Sequence, residues 1–243
     1  MRLAKFLATA GVSSRRAAQE IVRSGRVTVG EEQVLDPARD VGPQDAIKLD
    51  GAPVTAPLTG VVYAVNKPAG VVSTARDPQR RRTVVSLVAS QLRLYPVGRL
   101  DIDATGLILL TNDGELAHRL MHPSFEVPKT YRVRVYKPPV RETALAALRD
   151  GVVLDDGRTA PARVRRISAD TIQITIHEGR KRQVKRMCEH IGHRVRSLER
   201  VGFGPLSLGG LAPGAYRQLD AAEIRTLMSA AGTATRRGGR SSS

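Results

Sequence analysis

The sequence predicts an α+β protein: a small helix-and-strand module followed by a larger domain with a mixed, mainly antiparallel sheet. Three observations lead there. Helical and strand-like periodicities alternate along the chain without a strand-helix-strand rhythm and without a repeat. Residues 52–60 are small, uncharged and proline-containing, as an extended connector would be. The 243 residues are 41% hydrophobic, enough to build one large core or two smaller ones.

Charge and composition narrow the function. Lys and Arg number 39 against 23 Asp and Glu, a formal net charge of +16, which asks for a polyanionic partner. Aromatic residues make up only 3%, too few for an extended base-stacking platform, so a nucleic-acid contact must lean on arginine. The single cysteine, Cys188, excludes an intramolecular disulfide and a cysteine-pair zinc site and fits a reducing compartment. No apolar run approaches the roughly 18 residues of a membrane span, and the N-terminal apolar residues give way at once to Ser13-Ser14-Arg15-Arg16. A soluble, unprocessed, cytoplasmic protein is expected, and no self-association segment argues against a monomer.

In the first module, 1–51, Leu3, Phe6, Leu7 and Ala10 fall at helical spacing and Gly11 is placed to stop that helix. Ser13 or Ser14 can cap a second helix carrying Ala17, Ile21 and Val22, which Gly25 ends. Strands are expected at 26–29, 33–35 and 46–49. Six basic residues face only Glu20 among the first 30 positions, so one face is expected to be basic. In the second domain, 61–231, strands are expected at 61–65, 107–111, 131–135 and 171–176, and a helix at 115–121. Asn66-Lys67-Pro68-Ala69-Gly70 reads as a loop because Pro68 cannot donate to a ladder. Residues 232–243 are small, polar and basic, a composition that cannot order itself by burial.

Three clusters can carry chemistry. Gly98-Arg99-Leu100-Asp101-Ile102-Asp103-Ala104-Thr105-Gly106 sets two acids two residues apart in a glycine-bounded loop, where catalytic side chains are often held. From residues alone the commoner reading is a capped loop with a solvated acid pair; a glycosidase pair is open in principle, but sugar-stacking aromatics are lacking. The histidine pairs His118/His122 and His190/His193 lack the HExxH arrangement, so no metal is expected. Between Glu178 and Arg200 lie eight basic residues and three acids, an anion-binding patch. A helix beginning near Arg182 would bury Val184 and Met187 and turn Lys185 and Arg186 outward to phosphate.

Two resemblances sharpen this. The run RLAKFLATAGVSSRRAAQEIVRSGRVTVG resembles the S4 RNA-binding domain with its αL motif, which grips structured RNA by its phosphates; the resemblance implies an RNA face of Lys5, Ser13, Arg15, Arg16 and Arg26. Gly30-Glu31-Glu32 departs from the usual Asn-Gly after the strand. The runs VNKPAGVVST, GRLDIDATGLILLTNDGELAHRLMHPSFEVPKTYRVRV and HEGRKRQVKRM closely resemble the RsuA/RluB family of pseudouridine synthases. That family isomerises a uridine in ribosomal RNA and uses no cofactor and no metal. The resemblance implies Asp101 as the essential aspartate, Tyr131 as the active-site tyrosine and Arg180 as the basic partner of Asp101. Lys67 is expected to hold phosphate or to support the active site, Asp103 and Thr105 to brace the loop, Arg99 beside Asp101 to fill the space of a flipped base, and Lys129, Arg182, Lys185 and Arg186 to contact RNA. Structured large-subunit (23S) rRNA is the favoured substrate over small-subunit (16S) rRNA. A non-catalytic assembly factor and a DNA-directed glycosylase-like enzyme are the rival readings.

Overall fold

The structure is a computed structural model that describes residues 1–55 and 60–232. Its chain contacts divide it into two units, Met1–Gly60 with the short stretches Ser90–Arg93 and Asn112–Gly114, and the remainder.

In the first unit, α1 (Leu3–Thr9) and α2 (Arg15–Arg23) precede four short strands: β1 (Val27–Val29), β2 (Glu32–Val34), β3 (Ile47–Leu49) and β4 (Ala52–Pro53). The strands form an antiparallel sheet in the order β2-β1-β3-β4. Ser14 is the N-cap of α2, its Oγ accepting from the Ala17 N–H at 3.1 Å, and so satisfies one of the orphan donors of the first turn. Leu3, Leu7, Ala18, Val22 and Val27 are fully buried in the core. The helix therefore buries Ala18 rather than the expected Ala17, which stays exposed beside the cap. Ala52 and Pro53 lie in the sheet, so the connector begins later than residue 52; its centre, 56–59, lies outside the described residues. The expected basic tail does too, apart from its first residue, Gly232, which is the last of the terminal helix.

The second unit is organised by one nine-stranded sheet. Its elements in chain order are β5 (Val62–Lys67), β6 (Tyr95–Val97), β7 (Thr105–Thr111), α3 (Gly114–Met121), β8 (Lys129–Val135), α4 (Glu142–Asp150), β9 (Val153–Leu154), β10 (Gly157–Arg158), β11 (Arg163–Arg166), β12 (Thr171–Ile176), α5 (Gln183–His190), β13 (Val195–Phe203), β14 (Leu206–Ser207), β15 (Tyr216–Gln218) and α6 (Ala221–Gly232). The sheet runs β11-β12-β8-β13-β7-β5-β15, with β6 on β7 and β14 on β13; β9 and β10 form a separate hairpin. Every pairing is antiparallel except β13 with β7. The alternation of β12, with Ile172, Ile174 and Ile176 buried, is the period-two signal read from the sequence. Leu107, Leu109, Leu120, Phe203 and Leu227 pack into one continuous core.

The parallel join fixes the position of the acid loop. Gly106 is paired with Arg200 and has φ +101°; a Cβ there would lie 2.3 Å from the Arg200 carbonyl oxygen. Only glycine allows β13 to approach this closely to the chain just after Asp101 and Asp103.

Candidate active site

The loop from Gly98 to Ala104 is pinned from below by the end of β5 and the residues that follow it. Ser73 Oγ donates to the Leu100 carbonyl at 2.8 Å and accepts from the Leu100 N–H at 3.1 Å. The Gly70 N–H donates to the Ile102 carbonyl at 2.8 Å, and the Ala104 N–H closes a turn on the Asp101 carbonyl at 3.1 Å. Lys67 is fully buried, with Nζ donating to the carbonyls of Val71 at 2.8 Å, Pro68 at 2.9 Å and Ile102 at 3.4 Å. Lys67 is thus placed as a brace inside the protein, the second of its two expected roles, rather than at a phosphate. Asn66 and Lys67 belong to β5, paired through to Gly106, rather than to a loop; Pro68 ends the strand one residue later.

Above this loop stands Lys185, on the first turn of α5. It was expected to face outward, but it is 5% exposed, and Nζ lies 2.6 Å from both oxygens of Asp103 and 3.8 Å from Asp101 Oδ2. The hydrogen bond from Lys185 is the main reason that the Asp103 carboxyl is held below the usual carboxylate range. Asp103 takes the ammonium from the solvent side, its side chain 62% exposed, and the Asp101 side chain remains 33% exposed. The result is a carboxylate open to a ligand beside a buried lysine ammonium.

Arg180 does not pair with Asp101. Its Nε donates to Glu178, Nη1 to Asp156 and to the carbonyls of Asp156 and Gly157, and Nη2 to the Arg158 carbonyl. Arg186, expected on the RNA side, is tied to Asp155 and Asp156 of the same hairpin. Two arginines of the basic cluster therefore clamp the β9–β10 hairpin against α5. Gln183, 3% exposed, completes the support: its Oε1 accepts from the Arg180 N–H at 3.0 Å and its Nε2 donates to Glu178 at 2.6 Å. Arg180→Lys is expected to speed backbone hydrogen exchange at Gly157 and Arg158 and to lower turnover less than tenfold, a rough figure for a group acting only through others. A loss comparable to that of Asp101→Asn would return Arg180 to the reacting centre.

Tyr131 sits on β8, 8% exposed, directly opposite Ile174 of β12 and Arg200 of β13, and Arg200 is in turn paired with Gly106. Two interstrand steps, about 10 Å, thus separate Tyr131 from the strand that carries the acid loop. Lys129 lies two residues away on the same face, half-buried, with Nζ 5.9 Å from the Phe203 ring centroid. Arg99 and Arg182 are exposed, as are Arg15 and Arg16. Lys5 and Ser13 are half-buried, and Arg26 is exposed but occupied by Asp50 at 2.5 Å.

Burial pushes Lys67 down to about 8, against the opposing pull of Asp103 and Asp101, and pushes Lys129 down to about 8 as well. The unfolded chain keeps these protons to about 10.4. Between those values the unfolded state binds more protons at these two lysines, so they are expected to raise stability with pH from 8 towards 10, against a smaller opposite contribution from the Cys188 thiol, which burial pushes up. Thermal unfolding across that range tests it, with Lys129→Met as the variant in which the rise must be smaller.

Among the described residues no group of three or more His, Cys, Asp and Glu stands where it could hold a metal, and no helix is long and apolar enough to cross a membrane. Cys188 is buried and its thiol is pushed up to about 12 by burial, which leaves it inert as a nucleophile.

A small helix-and-strand module precedes a sheet domain with a braced aspartate beside a buried ammonium, and comparison with known proteins gives the class. The family model for RNA pseudouridylate synthase matches residues 61–190, and that for the S4 domain matches residues 1–56. The chain is 43% identical over 233 residues to the ribosomal large subunit pseudouridine synthase B of Bacillus subtilis, covering 93% of this chain and 95% of that protein. It is 44% identical over 241 residues to an uncharacterized RNA pseudouridine synthase of Mycobacterium tuberculosis, covering 96% and 94%. A crystal structure of a pseudouridylate synthase superposes with a TM-score of 0.68 at 34% identity, covering 93% of this chain and 99% of that one. The protein belongs to the RNA pseudouridylate synthase family and carries an N-terminal S4 domain.

Proposed function

We propose that the protein converts a uridine of structured large-subunit (23S) ribosomal RNA to pseudouridine, acting as a cytoplasmic monomer without metal or cofactor. The observation that carries the reading is Asp101: a partly open carboxylate on a loop pinned by Ser73, Gly70 and Lys67, with the buried Lys185 ammonium 3.8 Å from one oxygen. The nearby large-subunit relative supports the choice of RNA.

The uridine must leave its stack, at a cost of roughly a few kcal/mol, and exposed Arg99 within the loop is placed to fill the gap. Asp101 acts at the sugar, as nucleophile on C1′ or as base at C2′, while the N1–C1′ bond breaks and the electron pair goes to the base. The Lys185 ammonium, 3.8 Å from Asp101 Oδ2, is a fixed positive charge beside the reacting group that does not contact the RNA. The base turns and C5 bonds to C1′ as the Asp101–C1′ bond breaks or, on the base route, as Asp101 returns the proton to C2′; the C5 proton then leaves, with the Tyr131 hydroxyl as its first acceptor or relay, and N1 takes up a proton. Lys5, Ser13, Arg15, Arg16, Lys129 and Arg182 hold phosphates.

The test is release of tritium from large-subunit and small-subunit rRNA carrying 5-³H-uridine. Release from the large-subunit RNA is expected with the unmodified protein and none with Asp101→Asn. Release from small-subunit RNA alone would move the substrate. Silence on both, with rRNA bound equally by both proteins, would favour a binding factor.

A further inference from the structure

The S4 unit holds a cavity of about 360 Å³ walled in part by Arg2, Arg15, Gln19, Arg23, Leu35 and Pro37. We infer that it receives one unstacked nucleotide of the RNA substrate, reading its base as well as gripping its phosphate. The inference rests on the RNA reading above and deepens it, since a grip on phosphates alone gives no choice of position.

Leu35 is the first sign. Leu3, Leu7, Val22 and Val27 in the same unit are fully buried, yet Leu35 is 59% exposed on the cavity wall. An apolar side chain serves no phosphate. Beside Pro37 it offers a flat apolar contact to a base, in a chain whose aromatics are too few to supply stacking rings. The wall is fixed and not a drifting loop: the Leu3 N–H donates to the Arg39 carbonyl at 2.8 Å, the Ala4 N–H to Pro37 at 3.2 Å, and the Ala38 N–H to Asp36 Oδ1 at 2.8 Å.

Arginine is the second. Arg15, Gln19 and Arg23 recur every four residues and so form one stripe of α2, with Arg2 joining them on the cavity wall. Arg2 and Arg15 have no ion pair among the described residues, and Arg23 pairs only with Glu20 on the surface, where both side chains are more than half exposed. Their charge is therefore available to a phosphate. Asp36, on the same wall, repels a phosphate and accepts from a base N–H, which orients the nucleotide, and Gln19 can both donate to and accept from a base edge. The volume falls within the range of small-ligand sites, about 300–1,000 Å³, and far exceeds what a phosphate alone needs.

The test uses the full chain and large-subunit rRNA, measuring affinity at several salt concentrations and tritium release in the same samples. Leu35→Asn, close in size but polar, is expected to weaken binding about tenfold with the salt slope unchanged, while Leu35→Met stays within about twofold. Arg15→Ala is expected to weaken binding and to reduce the salt slope by about one. Gln19→Leu carries the Leu35→Asn expectation on a helical position, so the test survives if Leu35→Asn does not fold. Binding by folded Leu35→Asn or Gln19→Leu equal to that of the unmodified protein overturns the pocket and leaves the isomerase reading standing. Leu35-dependent binding without tritium release does the reverse.

Discussion

Lys185→Met is expected to lower turnover by about 100-fold or more while the protein stays folded, because a pre-placed charge beside a reacting group is typically worth that much. The side chain is 7% exposed, so methionine, of similar length and shape, fills the same space. Asp103, left without its partner, is already 62% exposed and returns to water, so the cost to stability stays within about 1 kcal/mol. What is lost is the cation between two carboxylates two residues apart. Asp103 then returns upward towards the usual carboxylate range. Lys185→Arg should recover part of the activity. Single-turnover rates measured from pH 5 to 8 decide the matter: a normal rate for Lys185→Met would remove the ammonium from the mechanism.

Gly106→Ala is the second large effect, and it falls on the fold. The new methyl would meet the Arg200 carbonyl oxygen at 2.3 Å and the Arg200 nitrogen at 2.7 Å, and the residue would also hold a φ of +101°. Neither obstacle is a flexible side chain. Parting β13 from β7 and straining the backbone should cost at least about 3 kcal/mol. In a domain of this size that lowers Tm by about 6–12 °C. Gly98→Ala is the comparison: φ is +77° there too, but a Cβ meets nothing within 4 Å, so only the backbone strain is felt. Equal melting temperatures for the two variants would show that the close approach at Gly106 is not what holds the join.

The elements with plain periodicity were legible. β12 appears over the residues that alternate, and Ser14, the residue before an apolar-periodic run, is a cap. The acid loop was legible as a place, since glycines and paired acids before an apolar run leave few alternatives. Its support was not. Pro68 hid the fact that the strand runs on through Lys67, because proline bars a ladder bond only at its own nitrogen. A lysine on an amphipathic helix usually faces outward, so the pattern around Lys185 points the wrong way. Two carboxylates in the loop demand a cation, but eight basic residues between Glu178 and Arg200 offer one, and nothing local to the sequence says that α5 rather than the Arg180 loop reaches them. Such choices are made by long-range packing, which a single chain pattern does not display.

The place of β13 in the sheet has a bearing on biosynthesis. A ribosome that has made the first 194 residues has delivered β5 with β7, and β8 with β11 and β12, but not the strand that lies between the two groups. Until residues 195–203 emerge, each half-sheet presents an open edge, and Tyr131 has no fixed distance to Asp101. The half-sheet that carries Tyr131 and the one that follows Asp101 are therefore set against each other only once β13 has been made.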